Sequence, residues 1–145
     1  MVIPSPDLPL DGISVIAVDD DRGTLEALTL VLEARGARVF AARSAAAALA
    51  LRAADVSADV IVSDVTMAGT DGLTMMATIR AAEAAAQRDP TPAIAVSGYA
   101  TPDDRARALA AGYQVHVTKP IDLAVLLRTI RALTGRGERS RQAPE

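Results

Sequence analysis

The sequence predicts an α/β protein: a doubly wound, five-stranded parallel sheet with helices on both faces. Three observations lead there. Five short runs rich in β-branched residues alternate with longer stretches rich in Ala, Leu, Arg and Glu, which favour helix. Three of the short runs are almost wholly apolar, as strands covered on both faces must be. The residues that close those runs are acids, a hydroxyl and a lysine rather than turn formers alone. Repeated strand–helix–strand units give a (βα)5 chain with right-handed crossovers.

The expected strands are Ile13 to Val18, Ala37 to Ala41, Asp59 to Ser63, Ala93 to Ser97 and Gln114 to Val117. The first helix is expected over Arg22 to Arg35, with Thr24, Leu28, Val31 and Leu32 on its apolar face and Gly36 just past its end. Ser44 is the expected N-cap of the second helix, which runs through AAAALALRAA. The third spans Gly72 to Arg88 and stops before Asp89-Pro90. The fourth opens at Thr101-Pro102-Asp103-Asp104, where a cap, a first-turn Pro and two acids meet the positive helix end, and it closes at Gly112. The fifth covers Asp122 to Leu133. Residues 13–133 then form one domain, with 1–12 as a lead-in and 134–145 as a polar, flexible tail.

The length of 145 residues suits a single domain, and 50% apolar residues supply a core. Aromatics make up 2%, so that core consists of Val, Ile, Leu and Ala. There is no Cys, which excludes disulfides and thiolate metal sites. The net charge of −3 argues against nucleic acid as a direct partner. No apolar run approaches the ~18 residues of a membrane helix. The first twelve residues contain three Pro and neither Lys nor Arg, unlike a signal peptide, so a cytoplasmic location is expected.

In an open α/β sheet, ligands bind outside the carboxyl ends of the strands. Asp19, Asp20 and Asp21 follow the first strand, Asp64 the third, Ser97 and Gly98 close the fourth, and Thr118, Lys119 and Pro120 the fifth. Clustered carboxylates repel one another and call for a cation. An all-oxygen site with room for water and phosphate suits Mg2+ better than Zn2+. Asp19 and Asp20 are the candidate metal ligands and Asp64 a candidate covalent acceptor of a phosphoryl group. Lys119 offers a point charge and Ser97 a hydroxyl donor to the phosphoryl oxygens.

Four segments, VIAVDDD (Val15 to Asp21), DVIVSDVTMAGTDG (Asp59 to Gly72), AIAVSGYA (Ala93 to Ala100) and VTKPID (Val117 to Asp122), together resemble the receiver domains of two-component response regulators. The resemblance covers Ile13 to Leu133 and implies a flavodoxin-like sheet of strand order 2-1-3-4-5. It implies Asp64 as phosphoacceptor, Asp19 and Asp20 as the acidic pair, and the Thr66 carbonyl as a further Mg2+ ligand. Ser97 becomes the switch hydroxyl, and Lys119 precedes a cis Pro120. A histidine kinase or histidine phosphotransfer protein becomes the phosphoryl source, docking against the first helix. The face of the fourth helix, fifth strand and fifth helix becomes the surface for a downstream partner, on a monomer or weak dimer. Two residues depart from the pattern. Ala68 stands where the family usually has Pro, and His116 where it commonly has Tyr or Phe. Ser97-Gly98-Tyr99 with a Gln-Val-His strand is similar to receivers attached to hybrid histidine kinases.

Plainer roles stand beside these. Asp21 is expected as a helix N-cap, His116 as a half-buried strand residue, and Gly72 and Gly98 as backbone requirements. Met67, Met75 and Met76 are expected to pack. Leu25 is either core or a kinase-docking contact. Tyr99, two residues past Ser97, is expected to cover the phosphate partly. An aspartyl phosphatase of the haloacid dehalogenase type would need a second Asp where Thr66 stands. A nucleotide binder would need a Gly-rich loop after the first strand. A degenerate receiver, binding partners without phosphorylation, is the remaining alternative.

Overall fold

In the computed structural model, described for residues 9–54, 56–65, 71–98 and 101–135, strands and helices alternate along the chain. The elements are β1 (Ser14–Val18), α1 (Arg22–Ala34), β2 (Arg38–Ala42), α2 (Ala45–Ala53), β3 (Val60–Asp64), α3 (Gly72–Ala85), β4 (Ala93–Ser97), α4 (Pro102–Ala111), β5 (Val115–Thr118) and α5 (Leu123–Leu133). All strand pairs are parallel and the order is β2-β1-β3-β4-β5, the expected topology. The chain crosses from β1 to opposite sides at β2 and β3, so the carboxyl ends of β1 and β3 flank the switch point.

Local chemistry sets the boundaries. Each helix begins with a side-chain oxygen accepting a backbone N–H three residues on: Asp21, Ser44, Asp71, Thr101 and Asp122. α1 ends where Gly36, at φ 98°, donates to the Glu33 carbonyl while Ala37 donates to that of Leu32. α3 stops at Ala85, three residues short of the expectation. Gln87 takes φ 58°, its N–H reaches Ala84 and the Arg88 N–H reaches Glu83, the same left-handed closure without a glycine to mark it. Of the expected face of α1, Leu32 is buried and Leu28 packs against the core, with Val31 half-buried, while Leu25 is buried as well. Thr24 is diverted to the cap, its hydroxyl donating to Asp21 Oδ2 at 2.5 Å.

The sheet separates two apolar layers. One unites Ile16, Val18, Ile61, Ala93 and Ala95 with Met75, Met76, Ile79 and Tyr113 on the α2–α3–α4 side. The other unites Val15, Val60, Val62, Ile94 and Val96 with Leu32, Leu126, Leu127 and Ile130 on the α1–α5 side. Ala42, Ala45, Ala48 and Ala108 allow close helix–sheet approach where aromatics are scarce. Met75 and Met76 are core, as expected; Met67 lies outside the described residues. The segment before β1, expected as a lead-in, contributes too. Leu10 is fully buried, its N–H donates to the Arg35 carbonyl, and Arg131 donates to the Pro9 carbonyl.

Candidate functional site

Asp19 follows the last residue of β1, and Asp64 is the last of β3. Val18 pairs with Ser63 and Asp64 with Val96, so the acids emerge at one edge of the sheet. Ligand oxygens of Asp19, Asp20 and Asp64 all lie within 4.8 Å of one another. Asp19 and Asp64 are buried and Asp20 is exposed. Lys119, just past β5, places Nζ 3.2 Å from Asp64 Oδ2 and 3.8 Å from Asp19 Oδ2. Its backbone N–H donates to the Ser97 carbonyl at 2.7 Å, fixing the lysine against the end of β4. The Lys119-Pro120 peptide is cis, as the resemblance implies.

Among the described residues, the site gathers more negative than positive charge. Burial pushes the Asp19 carboxyl above its usual range. The Asp21 N–H, donating at 2.9 Å, pulls it back, Asp64 and Asp20 push it up again, and Lys119 offsets part of this. Lys119 meets Asp64 and Asp19, and with Asp20 the three carboxylates make a donor set of hard oxygens that fits a small divalent cation such as Mg2+. Asp21 is the cap of α1, as expected; its carboxylate accepts from the Thr24 N–H and hydroxyl. The Thr66 carbonyl, Ala68 and Tyr99 lie outside the described residues.

Ser97 is buried at the end of β4, and its Oγ lies 2.9 Å from Nε2 of His116. His116 is half-buried on β5, as expected of a strand residue, but it is engaged with the candidate hydroxyl rather than merely packed. Burial lowers its pKa below 6.5; nearby Arg105 lowers it further and Asp104 opposes. Leu25 is 4% exposed, so it is core. Beside the acids runs a groove between α1 and the segment after β5, lined by Thr24, Leu28, Val31, Pro120, Ile121 and Leu123.

Two positions acquire clearer reasons. A Cβ at Gly72 would stand 2.6 Å from the Val65 Cα and 2.7 Å from the Asp64 carbonyl oxygen, so only glycine lets α3 abut the end of β3. Tyr113, which sequence reasoning passed over, donates its hydroxyl to the Gly72 carbonyl at 2.9 Å from a buried position. Gly98 shows no such constraint among the described residues, none of which lies within 4 Å of its would-be Cβ.

Comparison with known proteins agrees with this geometry. The family model described as "Response regulator receiver domain" matches residues 15–131. An uncharacterised 14.6 kDa protein of Leptolyngbya boryana is 34% identical over 84% of this chain and 90% of its own length. The sensor histidine kinase GacS of Pseudomonas protegens is 31% identical over 90% of this chain, which spans only 14% of that kinase. The Saccharomyces cerevisiae response regulator Ssk1, whose receiver domain was crystallised with the histidine phosphotransfer protein Ypd1, superposes with a TM-score of 0.78. It is 20% identical over 86% of this chain and 90% of that one, which speaks to the fold alone. Among the described residues, no helix is long and apolar enough to cross a membrane. By the family match along nearly its whole folded length, this chain belongs to the response regulator receiver domains, the signalling modules of two-component phosphorelays.

Proposed function

We propose that the domain takes a phosphoryl group on Asp64 in a Mg2+-dependent reaction and thereby changes its partner preference. The observation that carries this reading is the buried Asp64 carboxylate, gathered with Asp19 and Asp20 and met by Lys119 at 3.2 Å. A carboxylate Oδ of Asp64 attacks the phosphorus of a phosphohistidine. The new O–P bond forms as the P–N bond breaks, and the imidazole leaves with the electron pair. Lys119 neutralises charge on the equatorial oxygens and Ser97 donates to one of them. Asp19 and Asp20, with the Thr66 carbonyl, are the residues to hold Mg2+, which when bound offsets the charge of carboxylates and phosphoryl group alike. The chain catalyses only its own phosphorylation and dephosphorylation and is not an enzyme acting on a separate substrate.

The source is a histidine kinase or histidine phosphotransfer protein, consistent with a kinase relative and with the Ypd1-bound structural neighbour. It would seat against the groove of Leu28, Val31 and Ile121, next to Lys119, rather than on the buried Leu25. The downstream partner would read the α4–β5–α5 face. Incubation with acetyl phosphate, with and without Mg2+, followed by intact-mass measurement tests the chemistry. One phosphoryl adduct that needs Mg2+ and is absent from Asp64→Asn is expected. No adduct under any condition would favour a phosphorylation-independent binding module.

A further inference from the structure

Ser97 pairs with Thr118 across the sheet, but its hydroxyl is engaged by Nε2 of His116, the residue opposite Ala95 and two positions further from the carboxyl edge. The 2.9 Å contact thus ties the hydroxyl to a ring that is not part of the edge where Asp64, Asp19 and Lys119 meet. The other ring nitrogen, Nδ1, is buried and finds no hydrogen-bond partner among the described residues. A buried N–H without an acceptor costs more than a buried lone pair without a donor, so the ring carries its proton on Nε2. Nε2–H then donates and Ser97 Oγ accepts.

Resting on the phosphoacceptor reading above, we propose that His116 is a positioning residue that latches the Ser97 hydroxyl in the resting state through an Nε2–H···Oγ hydrogen bond. A phosphoryl group on Asp64 competes for Ser97. When the hydroxyl turns toward it, the imidazole loses the hydrogen bond at Nε2 while its buried Nδ1 has no partner among the described residues to make up the loss, so the ring must reorient. It lies under α4, whose Asp104 and Arg105 act on its charge. The movement of one hydroxyl is thus passed to α4 by a broken hydrogen bond, which a phenylalanine ring at this position does not have to lose.

His116 is the chain's single histidine, so its ring signals need no assignment. The test uses the full chain labelled with nitrogen-15 and long-range proton–nitrogen spectra of that ring. Protonated Nε2 and unprotonated Nδ1 are expected at rest, with the preference weakened in Ser97→Ala. Added acetyl phosphate and Mg2+ should shift the ring signals in the wild type and leave them unmoved in Asp64→Asn. Phosphorylation rates read by intact mass supply a second measure. Losing one ordinary hydrogen bond corresponds to about 2- to 10-fold, so His116→Phe should phosphorylate faster by that factor. His116→Gln, which returns an N–H donor near the Nε2 position, should restore the wild-type rate. A ring protonated on Nδ1, or an adduct that forms without moving the ring signals, overturns the latch alone. So does a His116→Phe rate equal to the wild type. Absence of any adduct in the mass spectrum overturns the phosphoacceptor reading and the coupling together, while the resting tautomer still reports on the hydrogen bond itself.

Discussion

The two ends of the sheet treat a buried carboxylate in opposite ways. At the carboxyl edge, Asp19 is 5% exposed and lies beside Asp64, the two sharing the Lys119 ammonium. At the amino edge, Glu83 is 4% exposed, yet every demand is met. Its Oε2 accepts the Thr91 N–H at 3.0 Å and its Oε1 the Arg80 Nη1 at 2.7 Å, with Arg52 at 3.6 Å. Arg80 goes on to bind the carbonyls of Gly112 and Thr91, tying α3 to the segments that lead into β4 and β5. Burial pushes Glu83 up, but the hydrogen bonds and the Arg80 charge more than reverse this and hold it below 4.5. Equal burial with opposite pKa shifts separates a network of paired groups from a cluster of like charges.

Substitutions should therefore act with opposite sign at the two edges. Arg80→Ala strips Glu83 of its closest cation and unpairs the carbonyls of Gly112 and Thr91. It should cost about 3 kcal/mol in urea unfolding, because breaking a buried pair leaves an uncompensated charge. At the carboxyl edge, Mg2+ at about 100 times its Kd should add about 2.7 kcal/mol to the wild type by mass action, and much less to Asp19→Asn. Without Mg2+, Asp19→Asn should itself stabilise the fold by about 1 kcal/mol, since it removes a charge facing Asp64. Equal losses from Arg80→Ala and Asp19→Asn would break the comparison.

Acid titration provides the smallest and sharpest contrast. Glu83 titrates lower in the fold than its ordinary 4.5, so its stabilising contribution is complete above that value and is lost as pH falls through the folded one. Asp19 titrates above its ordinary 3.8, so its contribution is present below 3.8 and lost as pH rises through the raised value. Urea midpoints across about pH 3 to 6 should thus fall less steeply on acidification for Glu83→Gln than for wild type, and more steeply for Asp19→Asn.

The sequence made the carboxyl edge legible because strand-end positions are local: a β-branched run names its own last residue. Asp19, Asp64, Ser97 and Lys119 could each be read that way, and the caps Asp21, Ser44 and Thr101 likewise. The amino edge was not legible. Arg80 and Glu83 were not singled out, because the carbonyls that Arg80 binds lie 11 and 32 residues away and no local pattern reveals them. The end of α3 was overrun because Gln87 does a glycine's work. Both halves of the Ser97–His116 contact were visible, but the contact itself depends on the β4–β5 register. On α1, Thr24 was misjudged as packing when its hydroxyl serves the cap.

The sheet also acts as a partition. Lys119 and the groove of Leu28 and Ile121 belong with the α1–α5 layer, whereas His116 and Ala95 face the α2–α3–α4 layer. A change in that groove and a change at the Ser97–His116 contact are therefore separated by the thickness of the sheet, and either can be altered without repacking the layer that holds the other.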